Sequence, residues 1–508
     1  MDNEKLNRIS PLFVIAMITF VSMFIFYYTV HPLYIYDVDD WAYMTGVRHA
    51  LPSVKQWNPT KILPETLMPL VSSLAAWLIY PIEGDYIRSL CMAFALVTAS
   101  FITLYVVMTA VLIKKKARIQ GISLIFVMGV FLLVHFFLYL TEVDANKHFF
   151  YTGNVTCIFN YLIPSLWNFI LCLYFMTMER TDWQDKNGYI KKGIIVLLVY
   201  LAINSNLWHS IILMSYMGIE LLFELVSGIY AHKKGRGKFI SFSFLRSYAI
   251  KNVPRFLALL TWFVSMIFEI NGGRANWNTE GRLQIKEAIE NFGSSLTQIR
   301  KEFLLVIAVI NVVAICVAVI RTKQIVGLKT DSAKRFLISQ GKKLSVMVLS
   351  VIYLILLAAK VSPVYLKNPH VMISWMLWLM LISTLSLVYL IHFEVRICWL
   401  LPCVTYILLF EVLIDKKTFA ENYSSMQTPS IIKALDDDII RQVKAAESDG
   451  KDSVTVYIPV KGSGGWPIDP GMMANRVSDT LYYHGVTEKH MIISIVPDED
   501  KDAAFYIK

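Results

Sequence analysis

The feature that most constrains this chain is a series of apolar runs, each roughly 17–25 residues long, the length that crosses ~30 Å of hydrocarbon as a helix. Inside a bilayer every backbone N–H and C=O must be paired within its own element, so runs of this kind fold as helices. Composition agrees. The chain of 508 residues is 56% hydrophobic and 17% charged, with a mean hydropathy of +0.53, whereas soluble domains run nearer about 45–50% apolar and about 25% charged. The length fits one polytopic bundle with a small tail. The formal charge of +10 comes from Lys and Arg set in short segments between apolar runs, where membrane proteins carry them. A lipid bilayer is therefore the expected partner, and nucleic acid is not.

Eleven runs read as spans, at about 11–30, 88–113, 119–140, 157–178, 193–205, 207–230, 254–270, 303–320, 344–360, 371–391 and 397–414. With the N-terminus in the cytoplasm, the inner segments carry 24 Lys and Arg and the outer loops 10. That bias sets orientation, and eleven crossings then put the C-terminus outside. The first run lacks a small-residue cleavage site and reads as a retained helix. Thr66–Ile82 is also apolar, but counting it as a span would place Lys114-Lys115-Lys116 outside. Pro69 and Pro81 shorten its uninterrupted helix. It reads as a helix lying in the outer interface or dipping partly into the bundle.

The expected architecture is thus a mostly α membrane bundle over residues 1–414 and a small extracytoplasmic α/β domain over 415–508. In the tail, 454–460 and 491–496 read as strands and 472–483 as a helix, with a loop at Lys461-Gly462-Ser463-Gly464-Gly465. Those glycines follow neither the dinucleotide nor the P-loop pattern. The six cysteines lie in or beside apolar runs without a C-x-x-C pair and read as packed apolar residues.

Chemistry gathers in the outer loops. Asp37, Asp39 and Asp40 follow the first span within a few residues, among Tyr34, Tyr36 and Trp41. Carboxylates this close raise one another's pKa, which a purely structural loop would avoid. The next outer loop adds Glu142, Asp144, His148, Tyr151 and Asn154. Rings beside carboxylates suit a sugar, whose C–H face stacks while its hydroxyls hydrogen-bond, although aromatics also mark membrane interfaces. Arg274 follows Gly272-Gly273, and Lys360 and Lys367 flank the ninth span's outer end. Arg274 suits a phosphate fork. Contact with lipid headgroups would account for each of these cations equally well. His135 and His209 lack metal-ligand spacing and read as hydrogen-bonded bundle residues.

The order of these features resembles the GT-C glycosyltransferases, closest to the bacterial O-antigen glucosyltransferase (Gtr) type and its Gram-positive cell-wall relatives. The residues that carry the resemblance are Asp37-Val38-Asp39-Asp40-Trp41, then Phe150-Tyr151-Thr152-Gly153-Asn154 leading to Asn160-Tyr161-Leu162-Ile163-Pro164, then Asn271-Gly272-Gly273-Arg274. It covers residues 1–414 and not the tail. It implies a bacterial plasma-membrane enzyme, a polyprenyl-phosphate sugar donor, a glycan or lipid-linked acceptor, an outward-facing site and inversion at the anomeric carbon. By resemblance the base falls in Asp39-Asp40, with Asp39 preferred, Asp40 orienting substrate and Asp37 the competitor. Trp41, Glu142, Asp144, Tyr151, Asn154, Arg274, Lys360 and Lys367 are the candidate substrate-binding residues. No cofactor is expected. Some members hold a divalent metal at such acids, but none is expected here.

Three other readings compete. A transporter or flippase for lipid-linked sugars would place charges deep in the spans, which here are almost free of them. An O-antigen-type polymerase or ligase would feature arginines in a large later loop, and Arg274, Arg282 and Arg300 keep that reading open. A membrane anchor displaying the tail would not need an acidic first loop.

Overall fold

A computed structural model describes residues 10–46, 59–117, 119–139, 148–178, 188–236, 242–271, 282–324, 328–392, 428–461 and 469–506. Its elements, in chain order, are α1 (Pro11–Val30), α2 (Val38–Tyr43), α3 (Pro64–Glu83), α4 (Tyr86–Ala117), α5 (Ile122–Val134), α6 (Val155–Thr177), α7 (Tyr189–Ile203), α8 (Leu207–Arg236), α9 (Phe242–Lys251), α10 (Val253–Ile270), α11 (Ile285–Leu296), α12 (Lys301–Gln324), α13 (Leu328–Val361) and α14 (Pro369–His392). The tail adds α15 (Pro429–Ser448), β1 (Ser453–Pro459), α16 (Pro470–Tyr483), β2 (Ile492–Asp498) and α17 (Glu499–Tyr506). Among the described residues, nine helices are long and apolar enough to cross a membrane. The protein is a polytopic helical membrane bundle.

The helices follow the apolar runs with two exceptions. The run 119–140 is helical only over Ile122–Val134. It ends at His135, whose Nδ1 lies 2.6 Å from the Phe131 carbonyl and whose Nε2 lies 3.1 Å from the Tyr105 hydroxyl. The run 193–205 gives the 15-residue α7. The expected span 397–414 lies outside the described residues.

The chain forms two compact units, and the division does not fall at 414/415. The first takes in the described residues of Met1–Leu12, Tyr105–Leu140 and Pro164–Phe410. Its helices α12, α13 and α14 close around Ala314, Ala318, Ala333, Tyr389 and Leu390, where small side chains let helix backbones approach. The second takes in the described residues of Phe13–Leu104, Thr141–Ile163 and Glu411–Lys508. The tail therefore shares a unit with the first long loop.

In the second unit β1 and β2 pair in parallel, Ser453 opposite Ile492. A parallel pair needs a crossover, and α16 supplies it. Its apolar face (Met473, Val477, Leu481) is buried. Helix α3 is long enough to cross a membrane. Lys61, just before it, lies over the Tyr43 ring, and Ser72, near its middle, donates to the Met44 carbonyl at 3.0 Å. Near its end Lys444 donates to the Tyr80 hydroxyl at 3.2 Å. Gly84, at φ +74°, then turns the chain into α4, a left-handed conformation that favours glycine. Asp85 next to it pairs with Lys433 at 2.7 Å.

Candidate active site

The acidic motif sits where α1 ends and α2 begins, and its local geometry explains two of its three acids. Asp37 is the N-cap of α2. Its carboxylate accepts from the Asp39 N–H at 2.7 Å, while the Asp40 carboxylate reaches back to accept the Asp37 N–H at 3.3 Å. This is a capping box with Asp at both ends, and it satisfies N–H groups that a helix start leaves unpaired. The box uses Asp39 through its backbone N–H, not through its carboxylate.

The start of α6 completes the arrangement. Thr156 donates both its N–H and its hydroxyl to Asp40 Oδ1, each at 2.7 Å, and the Tyr36 N–H reaches Asp40 Oδ2 at 3.2 Å. With the Asp37 N–H, the Asp40 carboxylate accepts four hydrogen bonds. Asn154 donates to Asp37 Oδ2 at 2.6 Å and accepts the Cys157 N–H at 2.7 Å. That second bond fixes which way its amide points. Upstream, the Tyr27 hydroxyl donates to the Phe150 carbonyl at 3.1 Å. Three π-helical turns, at Phe26–Val30, Ala75–Ile79 and Ile158–Leu162, lie in this same unit. Such turns are frequent at functional sites because they re-aim side chains within a helix.

Burial separates the acids. Asp37 is 1% exposed and Asp40 0%. Asp39 is half-buried. Burial, then the neighbouring Asp40 charge, raises the Asp37 carboxyl well above the carboxylate range. Burial also raises Asp40, opposed by its hydrogen bonds from Thr156, Tyr36 and Asp37. The two titrate as a pair, and four donors make Asp40 the better seat for its charge. Their oxygens face N–H and O–H groups rather than an open position.

The other candidate residues divide. Trp41 is fully buried and packs as core, so it offers no open ring to a sugar. Tyr151 is buried in a ring cluster, 6.1 Å from His31 and 6.0 Å from His148. Asn154 is brought onto the motif itself. Lys360 is half-buried near the end of α13, and Lys367 is exposed at the end of the 3-10 turn Pro363–Lys367. Both belong to the first unit. Glu142, Asp144 and Arg274 lie outside the described residues.

No protein-family model, curated protein or solved structure matches this chain. The site is therefore argued from its geometry.

Thr156 and the tail residues Asp436, Thr480 and His484 escaped the sequence reading. Asp436 lies in an acidic triplet with Asp437 and Asp438, yet it alone is fully enclosed without a partner. It is 1% exposed, and neither of its oxygens has a hydrogen-bond partner among the described residues. Burial, then the charges of Asp437 and Asp40, hold its carboxyl well above the usual range, with Lys433 opposing. A raised carboxyl keeps its proton in the folded state at pH values where the unfolded chain has lost it. Stability is then full below the ordinary carboxylate pKa and falls as pH rises towards the folded pKa. Asp436→Asn removes the ionisable proton at nearly the same volume. The variant is expected to be more stable than the parent at pH 8, because the amide has no proton to lose. Thermal unfolding in detergent from pH 6 to pH 9 checks this. The variant's midpoint is expected to fall less steeply with pH than the parent's, and parallel curves would exclude Asp436 as the source.

Proposed function

We propose that the protein is an inverting glycosyltransferase of the bacterial plasma membrane. It moves a sugar from a polyprenyl-phosphate donor to a cell-surface glycan or lipid-linked acceptor on the outer face. The observation that carries this reading is the half-buried Asp39 carboxylate, set on a short helix whose start is fixed by its two saturated acidic neighbours. In this mechanism Asp39 takes the proton of the acceptor hydroxyl as its oxygen attacks the anomeric carbon. The bond to the phosphate oxygen breaks, and polyprenyl phosphate leaves with the electron pair and needs no proton. Developing charge on the phosphate calls for a cation. On this reading α3 lies along the outer interface.

The transporter reading draws on one observation of its own. Lys342 Nζ donates to both oxygens of Glu220, at 3.0 and 2.9 Å, joining two helices that are candidate spans. Ionisable pairs within spans often mark a translocation path. Reconstitution separates the two readings. Vesicles containing the protein and a panel of polyprenyl-phosphate sugars are expected to yield transferred sugar with inverted anomeric configuration. Equilibration of the lipid-linked sugar across the bilayer without transfer would establish the transporter instead.

Orientation is tested separately. In a cysteine-free background, single cysteines at Asp39 and Ser463 are expected to react with an impermeant thiol reagent in intact cells. One at Lys115 is expected to react only after lysis. The reverse pattern would place the acidic turn in the cytoplasm and remove an outward-facing site.

A further inference from the structure

The acidic turn is held at two ends, and the second holder comes from the far end of the chain. Its start is fixed by the capping box and by Asn154 and Thr156. Its finish is a different problem. Helix α2 has six residues, so its last carbonyls lack partners within the helix. Thr480, on α16, donates its hydroxyl to the Trp41 carbonyl at 2.8 Å, across 439 positions of sequence. One turn further on, His484 Nδ1 lies 2.6 Å from the Tyr86 hydroxyl at the start of α4. Lys433, on α15, pairs with Asp85 at 2.7 Å. Helix α16 thus packs along α2, whose Val38 and Trp41 are buried, with Asp39 between the two holders in sequence.

We infer that the C-terminal module is a positioning element for the acidic turn: Thr480 holds the end of α2 so that the Asp39 carboxylate keeps one orientation. This rests on the proposed role of Asp39 as base. A base must stay within hydrogen-bond reach of one hydroxyl, and a displacement of about 1 Å can cost up to ~10²-fold in rate. A mobile backbone at Trp41, two residues away from Asp39, would spread its carboxylate over several positions. Thr480 touches neither substrate nor reacting atoms. Its effect passes through the backbone at Trp41.

The test uses the full-length protein in detergent or nanodiscs. Thr480→Val keeps the shape and deletes the donor, and Thr480→Ser restores it. In Thr480→Val, amide exchange across Tyr36–Met44 is expected to rise about ten-fold, the scale of one lost hydrogen bond. Sugar transfer per folded molecule is expected to fall about ten-fold in kcat with KM within about two-fold, the signature of a misplaced group rather than lost binding. Thr480→Ser is expected to return both to the parent's values. Three outcomes would overturn the inference. These are parental exchange across Tyr36–Met44, parental kcat despite raised exchange, and a drop in yield or unfolding midpoint with parental kcat per folded molecule. If exchange rises as expected while the parent itself transfers no sugar, the glycosyltransferase reading has failed, and the holding of the turn by Thr480 stands on the exchange data.

Discussion

Asp39→Asn is expected to lower sugar transfer from a polyprenyl-phosphate donor by ~10²-fold or more, the range for loss of a general base, with yield and unfolding midpoint like the parent's. The reasoning lies in what the fold asks of this residue. The capping box needs the Asp39 backbone N–H, which donates to Asp37 at 2.7 Å, and asparagine keeps that donor. The carboxylate is half-buried, and an amide of the same size keeps its shape. Activity and stability should therefore separate at this position. The measurement is single-turnover transfer in vesicles alongside thermal unfolding. Parental turnover in Asp39→Asn would remove it as base. The role would then pass to Asp37, the next acid with a carboxyl raised into a titratable range by burial.

What the sequence could and could not disclose follows from the range of the interactions involved. Helices such as α4, α12 and α14 were legible because one local quantity, apolar length, decides them in hydrocarbon. The run 119–140 misled because hydropathy does not register that His135 turns back on Phe131 and Tyr105 to close the helix. The acidic motif was legible as a cluster, and Asp37-Val38-Asp39-Asp40 also has the three-residue spacing of a capping box. Clustering alone does not show that Asp37 and Asp40 are buried while Asp39 is half-buried. The distinction among them rests on Thr156, 116 positions away from Asp40, and on Asn154, 117 away from Asp37. Nothing periodic in the chain announces such pairings. The tail posed the same difficulty on a larger scale. Its strands could be read locally, whereas its packing on α2 through Thr480 is a property of the folded chain.

Asp40→Asn is expected to fail differently, as a folding defect. The Asp40 carboxylate accepts two bonds on each oxygen, all from N–H or O–H donors, in a site with no solvent exposure. An asparagine oxygen can keep one pair of donors. Its amide group must then point N–H bonds at the other pair, either at the Tyr36 and Asp37 N–H groups or at Thr156. The hydroxyl of Thr156 can rotate to accept, but its backbone N–H cannot. At least one buried donor loses its partner, and a charged hydrogen-bond acceptor is lost with it. The cost is expected at about 3–5 kcal/mol, the scale for breaking a buried charged pairing from one side. That is a large share of the ~5–15 kcal/mol by which a domain is stable. Thr156→Val removes the hydroxyl donor alone and is expected to cost about 1.5–3 kcal/mol. The two costs should not add, because both act on the same carboxylate. Thermal or denaturant unfolding of the two single variants and the double variant reads this directly. Additive costs would mean that Asp40 is held by something other than Thr156. An Asp40→Asn protein as stable as the parent but without transfer would move the catalytic role from Asp39 to Asp40.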